Sequence, residues 1–133
     1  MDVKKKNNSF TVLTIILILA VLVLLSSILG GKSYIKIQNH TDTTLSGIMI
    51  EYIYSNNKKV IKIPDIQAKN SYKMNLSFPD DFTEGSIKML SIDKYGAQQE
   101  EVLVGYIEKG YHEKVIVTVN SIDKAGILTL KIH

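Results

Sequence analysis

The stretch YKMNLSF (72–78) alternates without a fault: Tyr72, Met74, Leu76 and Phe78 are apolar or aromatic, while Lys73, Asn75 and Ser77 are polar. A backbone that sends successive side chains to opposite faces turns this string into a strand with one buried and one wet face. The same period of two recurs in YIKIQ (34–38), IMIEYIY (48–54), VIKI (60–63), SIKML (86–90), EVLVGYI (101–107), KVIVTV (114–119) and ILTLKI (127–132), giving eight candidate strands. Turn-forming strings separate them at intervals of roughly ten residues: NHTDTT, SNNKK, PDIQAKN, FPDDFTEG, DKYG, EKGY and DKAG. Short strands at that spacing predict an all-β fold over residues 34–133, a small antiparallel Ig-like β-sandwich of seven or eight strands. The chain has no cysteine. Disulfides, Cys-ligated zinc, iron–sulfur clusters and thiol catalysis are thereby excluded, and core packing alone must hold the sandwich together.

Residues 10–29, FTVLTIILILAVLVLLSSIL, carry no charge and no proline. Twenty helical residues rise about 30 Å, which matches a bilayer's hydrocarbon thickness. The expected organisation is a basic tail (1–9), a transmembrane helix acting as a signal anchor (10–29), a short hinge (30–33) and a β-sandwich domain (34–133). A cleaved secretory signal shares this layout, but its apolar region usually runs about 7–15 residues. Lys4, Lys5 and Lys6 precede the run and only Lys32 follows it closely. The positive-inside rule then puts the N-terminus in the cytoplasm and the domain outside, as a single-pass protein of the cytoplasmic membrane. All sixteen basic residues are lysine. With the abundance of isoleucine and asparagine, this points to A/T-rich codons and a low-GC Gram-positive bacterium.

Two phrases are doubled. GYIEKGYHEK (105–114) repeats Gly-Tyr-x-Glu-Lys, and a hairpin looping at residues 108–111, with Gly110 at positive φ, accounts for it. That register sets Val104 against Val115 and Val102 against Val117 on the buried face, with Tyr106 meeting Glu113 at its end. SIDKYG (91–96) recurs as SIDKAG (121–126). In both, Asp can accept from backbone ahead of it and Gly can take the left-handed conformation that closes the turn.

The inventory for catalysis is thin. His40, His112 and His133 have no ligand-spaced companions, and no nucleophile elbow, phosphate-binding loop or His-Glu-x-x-His sequence occurs. Glu100 and Glu101 are adjacent in a strand and so point to opposite faces. Asp80, Asp81 and Glu84 in PDDFTEG offer three carboxylates for Ca²⁺, although their spacing fits no standard calcium loop and Pro-Asp-Asp is ordinary turn chemistry. No catalytic residue and no cofactor is assigned. Most of the net charge of +3 lies in the tail, where Lys4, Lys5 and Lys6 stand against Asp2; the rest is a nearly balanced, mixed-sign surface, which speaks against nucleic acid. Tyr95 and Tyr111 fall in loops, where a ring with a polar tip makes a contact anchor; Lys109 and His112 flank the second. These features predict a non-catalytic module that contacts another protein at the cell envelope, as a subunit of a complex or as an immunity-type protein. The alternatives are a hydrolase acting on envelope polymer and a spacer that forms homo-oligomers.

Overall fold

The computed structural model describes residues 3–29 and 31–133, with helix side chains at 11–25 only. Its contacts divide the chain into two units, Met1–Gly31 and Lys32–His133.

The first unit is one helix, α1 (Val3–Leu29). Among the described residues no helix is long and apolar enough to cross a membrane. The expectations of an integral single span, of membrane partnership and of residence in the cytoplasmic membrane are therefore corrected. The side chains of Lys4, Lys5 and Lys6, on which the orientation rested, lie outside the described residues, as does the hinge residue Gly30.

The second unit holds eight strands: β1 (Tyr34–Asn39), β2 (Met49–Tyr54), β3 (Asn57–Lys62), β4 (Ser71–Asn75), β5 (Glu84–Ile92), β6 (Gln98–Glu108), β7 (Lys114–Ile122) and β8 (Leu128–Ile132). They form two four-stranded sheets, β4-β1-β7-β8 and β3-β2-β5-β6. β1 runs parallel to β7 and antiparallel to β4, while the remaining pairs are antiparallel. An immunoglobulin domain sets its first, second, fifth and fourth strands in one sheet. Here the first and second strands belong to different sheets, so the eight-stranded, two-sheet architecture stands and the Ig-like description does not.

The period-two pattern places the core. Ile35 and Ile37 of β1 with Val115, Val117 and Val119 of β7 face Ile50 and Tyr52 of β2 with Ile87 and Met89 of β5, all in one buried cluster. Each such aliphatic side chain, fully buried, contributes about 1.5–3 kcal/mol. After β4 the chain leaves its sheet but keeps burying aromatics. Phe78 stacks on Phe82 at 4.5 Å, and these rings meet Tyr52 and Tyr54 at 5.8 and 5.4 Å respectively. Crowding there explains Gly85: a Cβ at that position would lie 2.2 Å from the Ile53 carbonyl oxygen. The Tyr52 hydroxyl is buried with no hydrogen-bond partner. Burial pushes its ionisation up, partly offset by the Ser77 backbone.

The expected β6–β7 hairpin is absent, because β6 pairs with β5 and β7 pairs with β1 and β8. The register against β5 slips beside Ile87, so that Val104 pairs with Ile87 while Val102 pairs with Lys88. Leu103, the extra residue of this bulge, is buried along with Val104, and Val102 is left 54% exposed. A second slip, between Gly85 and Ile87, sets the alternation back, so that beyond Val104 the residue facing inward is Ile107 while Tyr106 is exposed.

Candidate functional site

The doubled phrase is a corner that carries the chain from one sheet to the other. Gly110 has φ +95°, and the Tyr111 N–H donates to the Glu108 carbonyl at 3.1 Å, closing the four-residue turn. Two clamps hold it. On one side the Lys109 N–H donates to the Thr83 carbonyl at 2.8 Å, while its ammonium donates to the Asp80 carbonyl at 3.1 Å. On the other, buried Ser33 donates through Oγ to the Tyr111 carbonyl at 3.1 Å and accepts from the Glu113 N–H at 2.9 Å. The Tyr111 ring is left 60% exposed, on backbone fixed from both sides, with Lys109 and His112 exposed beside it.

A second exposed tyrosine lies two residues before the turn. Tyr106 lies within hydrogen-bonding distance of Glu108 Oε1, at 2.5 Å, and of Glu84 Oε2, at 2.8 Å. Glu84 and Glu108 are cross-strand partners, a like-charge juxtaposition that is destabilising when bare. The phenol has a single proton to donate, and it sits where the two carboxylates would otherwise confront each other. The hydrogen bond to Glu108, then that to Glu84, holds the Tyr106 proton well above the ordinary tyrosine value. Beside this group is a shallow hollow of about 250 Å³ lined by Ile53, Ser55, Gly85 and Gly105. The signal for the group was present in the sequence, since Tyr-x-Glu in a strand puts both side chains on one face.

Tyr95 is elsewhere. It lies in the β5–β6 turn, at the opposite end of β6 from the corner, about 35 Å away along an eleven-residue strand. The structure therefore groups Lys109, Tyr111 and His112 and separates Tyr95 from them. Asp80, Asp81 and Glu84 belong to no cluster of three groups able to hold a metal ion, and none occurs among the described residues. Glu100 and Glu101 face opposite ways as expected. Glu100 pairs with Lys88 at 2.9 Å, and hydrogen bonds from Lys88 and then Gln98 lower its ionisation.

At the Tyr95 end the two echoed turns have the same internal bonds. Asp93 Oδ1 accepts from the N–H groups of Tyr95 and Ala97, and Asp123 Oδ1 from those of Ala125 and Ile127, all at 2.8–2.9 Å. One turn belongs to each sheet, and the Lys94 N–H donates to the Ala125 carbonyl at 2.9 Å to join them. Below this junction the Gln99 side chain both donates to the Leu128 carbonyl and accepts from its N–H, each at 2.9 Å, closing β6 onto β8. A cavity of about 280 Å³ lies here, lined by Leu45, Ile48, Ile122 and Leu128 with Thr44, Asp93 and Lys94. It is small for a ligand site, and Asp93, whose carboxylate is committed to its turn, is the only acid in its lining.

No known protein family matches the sequence, and no curated protein is similar to it. Among solved structures, the chain is similar to an NMR structure of a protein from Eubacterium rectale, with 11% identity and a TM-score of 0.45, over 76% of this chain and 87% of that one.

Proposed function

We propose that the unit Lys32–His133 is a non-catalytic protein-binding module whose contact surface is the β6–β7 corner. The observation that carries this reading is the pair of exposed tyrosines, Tyr106 and Tyr111, presented on backbone already fixed by Ser33, Gly110 and the Lys109 clamp. Tyrosines supply large contact area at low conformational cost, and a pre-ordered loop avoids the entropy of ordering on binding. Lys109 and His112 give the rim polar donors. A hydrolase would need two carboxylates facing an open space; the two that come together here have a tyrosine hydroxyl between them.

The test is photo-crosslinking from position 111 of the full chain in its own cells, followed by mass spectrometry. Tyr106→Ala is run as the disrupting variant and Tyr95→Ala as a control at the far end. A discrete partner whose capture is lost in Tyr106→Ala and kept in Tyr95→Ala supports the corner as a recognition surface. Capture that is absent, or equal in all three proteins, refutes it.

A further inference from the structure

The sheet β3-β2-β5-β6 has two unpaired edges of opposite character. β3 carries Lys58, Lys59 and Lys62, and β6 carries Glu100, Glu101 and Glu108. Lysines on an edge normally discourage pairing, but that argument holds for a basic edge meeting its like, not for one meeting an acidic edge.

The cross-strand registers make the match specific. Val60, Glu51, Lys88 and Val102 are successive partners and form one row across all four strands. Lys62, Met49, Leu90 and Glu100 form another. The first row thus begins and ends in valine, and the second begins in lysine and ends in glutamate. Both terminal valines are exposed on the sheet's outer face, Val60 to 45% and Val102 to 54%. β3 and β6 also run in opposite directions, since three antiparallel pairings separate them.

From these observations we infer that the partner of this sheet is a second copy of the same chain, added head to tail. The β6 edge of one copy takes the β3 edge of the next as an antiparallel neighbour in unbroken register. Val102 then lies beside Val60 of the next copy, and Glu100 lies beside its Lys62. The contact joins two different edges, so a joined pair still has one free edge of each kind, β3 on one copy and β6 on the other, and the association extends past a dimer unless its rotation closes a ring. The contact stands apart from the corner reading, since the residues it pairs, Val60, Lys62, Glu100 and Val102, all lie outside the corner.

A chain without cysteine offers a clean test. Val60→Cys and Val102→Cys are made as separate variants of the full chain, then oxidised alone and as an equal mixture. Facing residues in an antiparallel pair have Cα atoms about 4.5–5.5 Å apart, within reach of a disulfide. The mixture is expected to give a disulfide-linked dimer that neither variant gives alone. Ile127→Cys mixed with Val60→Cys should give none, whereas association through α1 would raise every pairing alike. Adding Glu100→Lys to the Val102→Cys chain should cut the yield about fivefold, the effect of a strong cross-strand charge pair. Lys62→Glu in the other chain should restore it. A mixture that gives no more dimer than the single variants, a Val102→Cys homodimer, or a yield indifferent to both charge changes overturns the inference. Near-ultraviolet circular dichroism of the tyrosines confirms that each variant is folded.

Discussion

Asn39 ends β1 fully buried. Its Nδ2 lies 2.7, 3.0 and 3.1 Å from the carbonyls of Thr43, Ile66 and Gln67, while its Oδ1 accepts from the N–H and Oγ1 of Thr41. One amide thus ties the segment after β1 to the segment before β4. Asn39→Asp keeps the shape and the acceptor but sets an oxygen against three carbonyls. Two donated hydrogens disappear, the carbonyls lose their partner, and a charge is buried without a counterion. Together these cost about 3–5 kcal/mol near neutral pH, out of the roughly 5–15 kcal/mol available to a domain of this size. The midpoint of thermal unfolding should fall by about 15–30 °C. The pH dependence has a definite sign. Burial and the facing carbonyls raise the folded carboxyl above its unfolded value of about 3.9, so the penalty from charge is absent below that value. It grows as pH rises and levels off above the folded value. Asn39→Ala loses the hydrogen bonds but should be flat with pH. Urea unfolding of parent and both variants between pH 4 and 7.5, followed by tyrosine fluorescence, measures all three. An Asn39→Asp protein within about 1 kcal/mol of the parent, or one no more pH-sensitive than Asn39→Ala, would refute the reasoning.

Gly85→Ala should cost about 1–3 kcal/mol in urea unfolding, because the new methyl meets backbone that cannot swing aside; a neutral result would mean that β2 and β5 part easily. Gln99→Leu removes both bonds to Leu128 and should cost about 1–2 kcal/mol, with faster hydrogen exchange at the Leu128 amide as the local sign. In an alkaline spectrophotometric titration Tyr106 and Tyr52 should ionise above the ordinary tyrosine value near 10, and Glu108→Gln should bring Tyr106 forward without moving Tyr52. A raised folded value means that Tyr106 favours the folded state below the ordinary tyrosine value near 10 and that this contribution is lost above it.

Alternation located the eight strands because burial of one face imposes a period that composition cannot hide; Ile35 and Ile37, or Tyr52 and Tyr54, could be assigned to the core on sight. What alternation does not carry is which strand lies beside which. The valines of β6 and β7 match each other as well as they match their true neighbours, so the doubled phrase read as a hairpin when it is a crossing between sheets. The Leu103 bulge was invisible for a related reason: a run of Val, Leu, Val leaves open which residues face inward. Asn39, Ser33 and Gln99 look like loop or surface residues in the sequence, and only their distant carbonyl and amide partners give them a role. The echoed Asp-Lys-x-Gly turns were legible throughout, since their chemistry is local. Of the candidate surface, Tyr111, Lys109 and His112 were found by turn position, whereas Tyr106 was misassigned to the buried face along with the hairpin.

The placing of β1 has a mechanical consequence. It is the first strand of its unit and yet sits inside a sheet, bonded to β4 on one side and β7 on the other, while the last strand, β8, lies at the sheet's margin. Tension drawn through Lys32 runs along β1 and loads both ladders in shear, so that many bonds must fail together. The same tension drawn through His133 loads β8 against a single neighbour, so that one ladder bears it in place of two. The fold should therefore resist being pulled from its front much better than from its back, and Ser33 would pass the first part of that load to the corner bearing Tyr111.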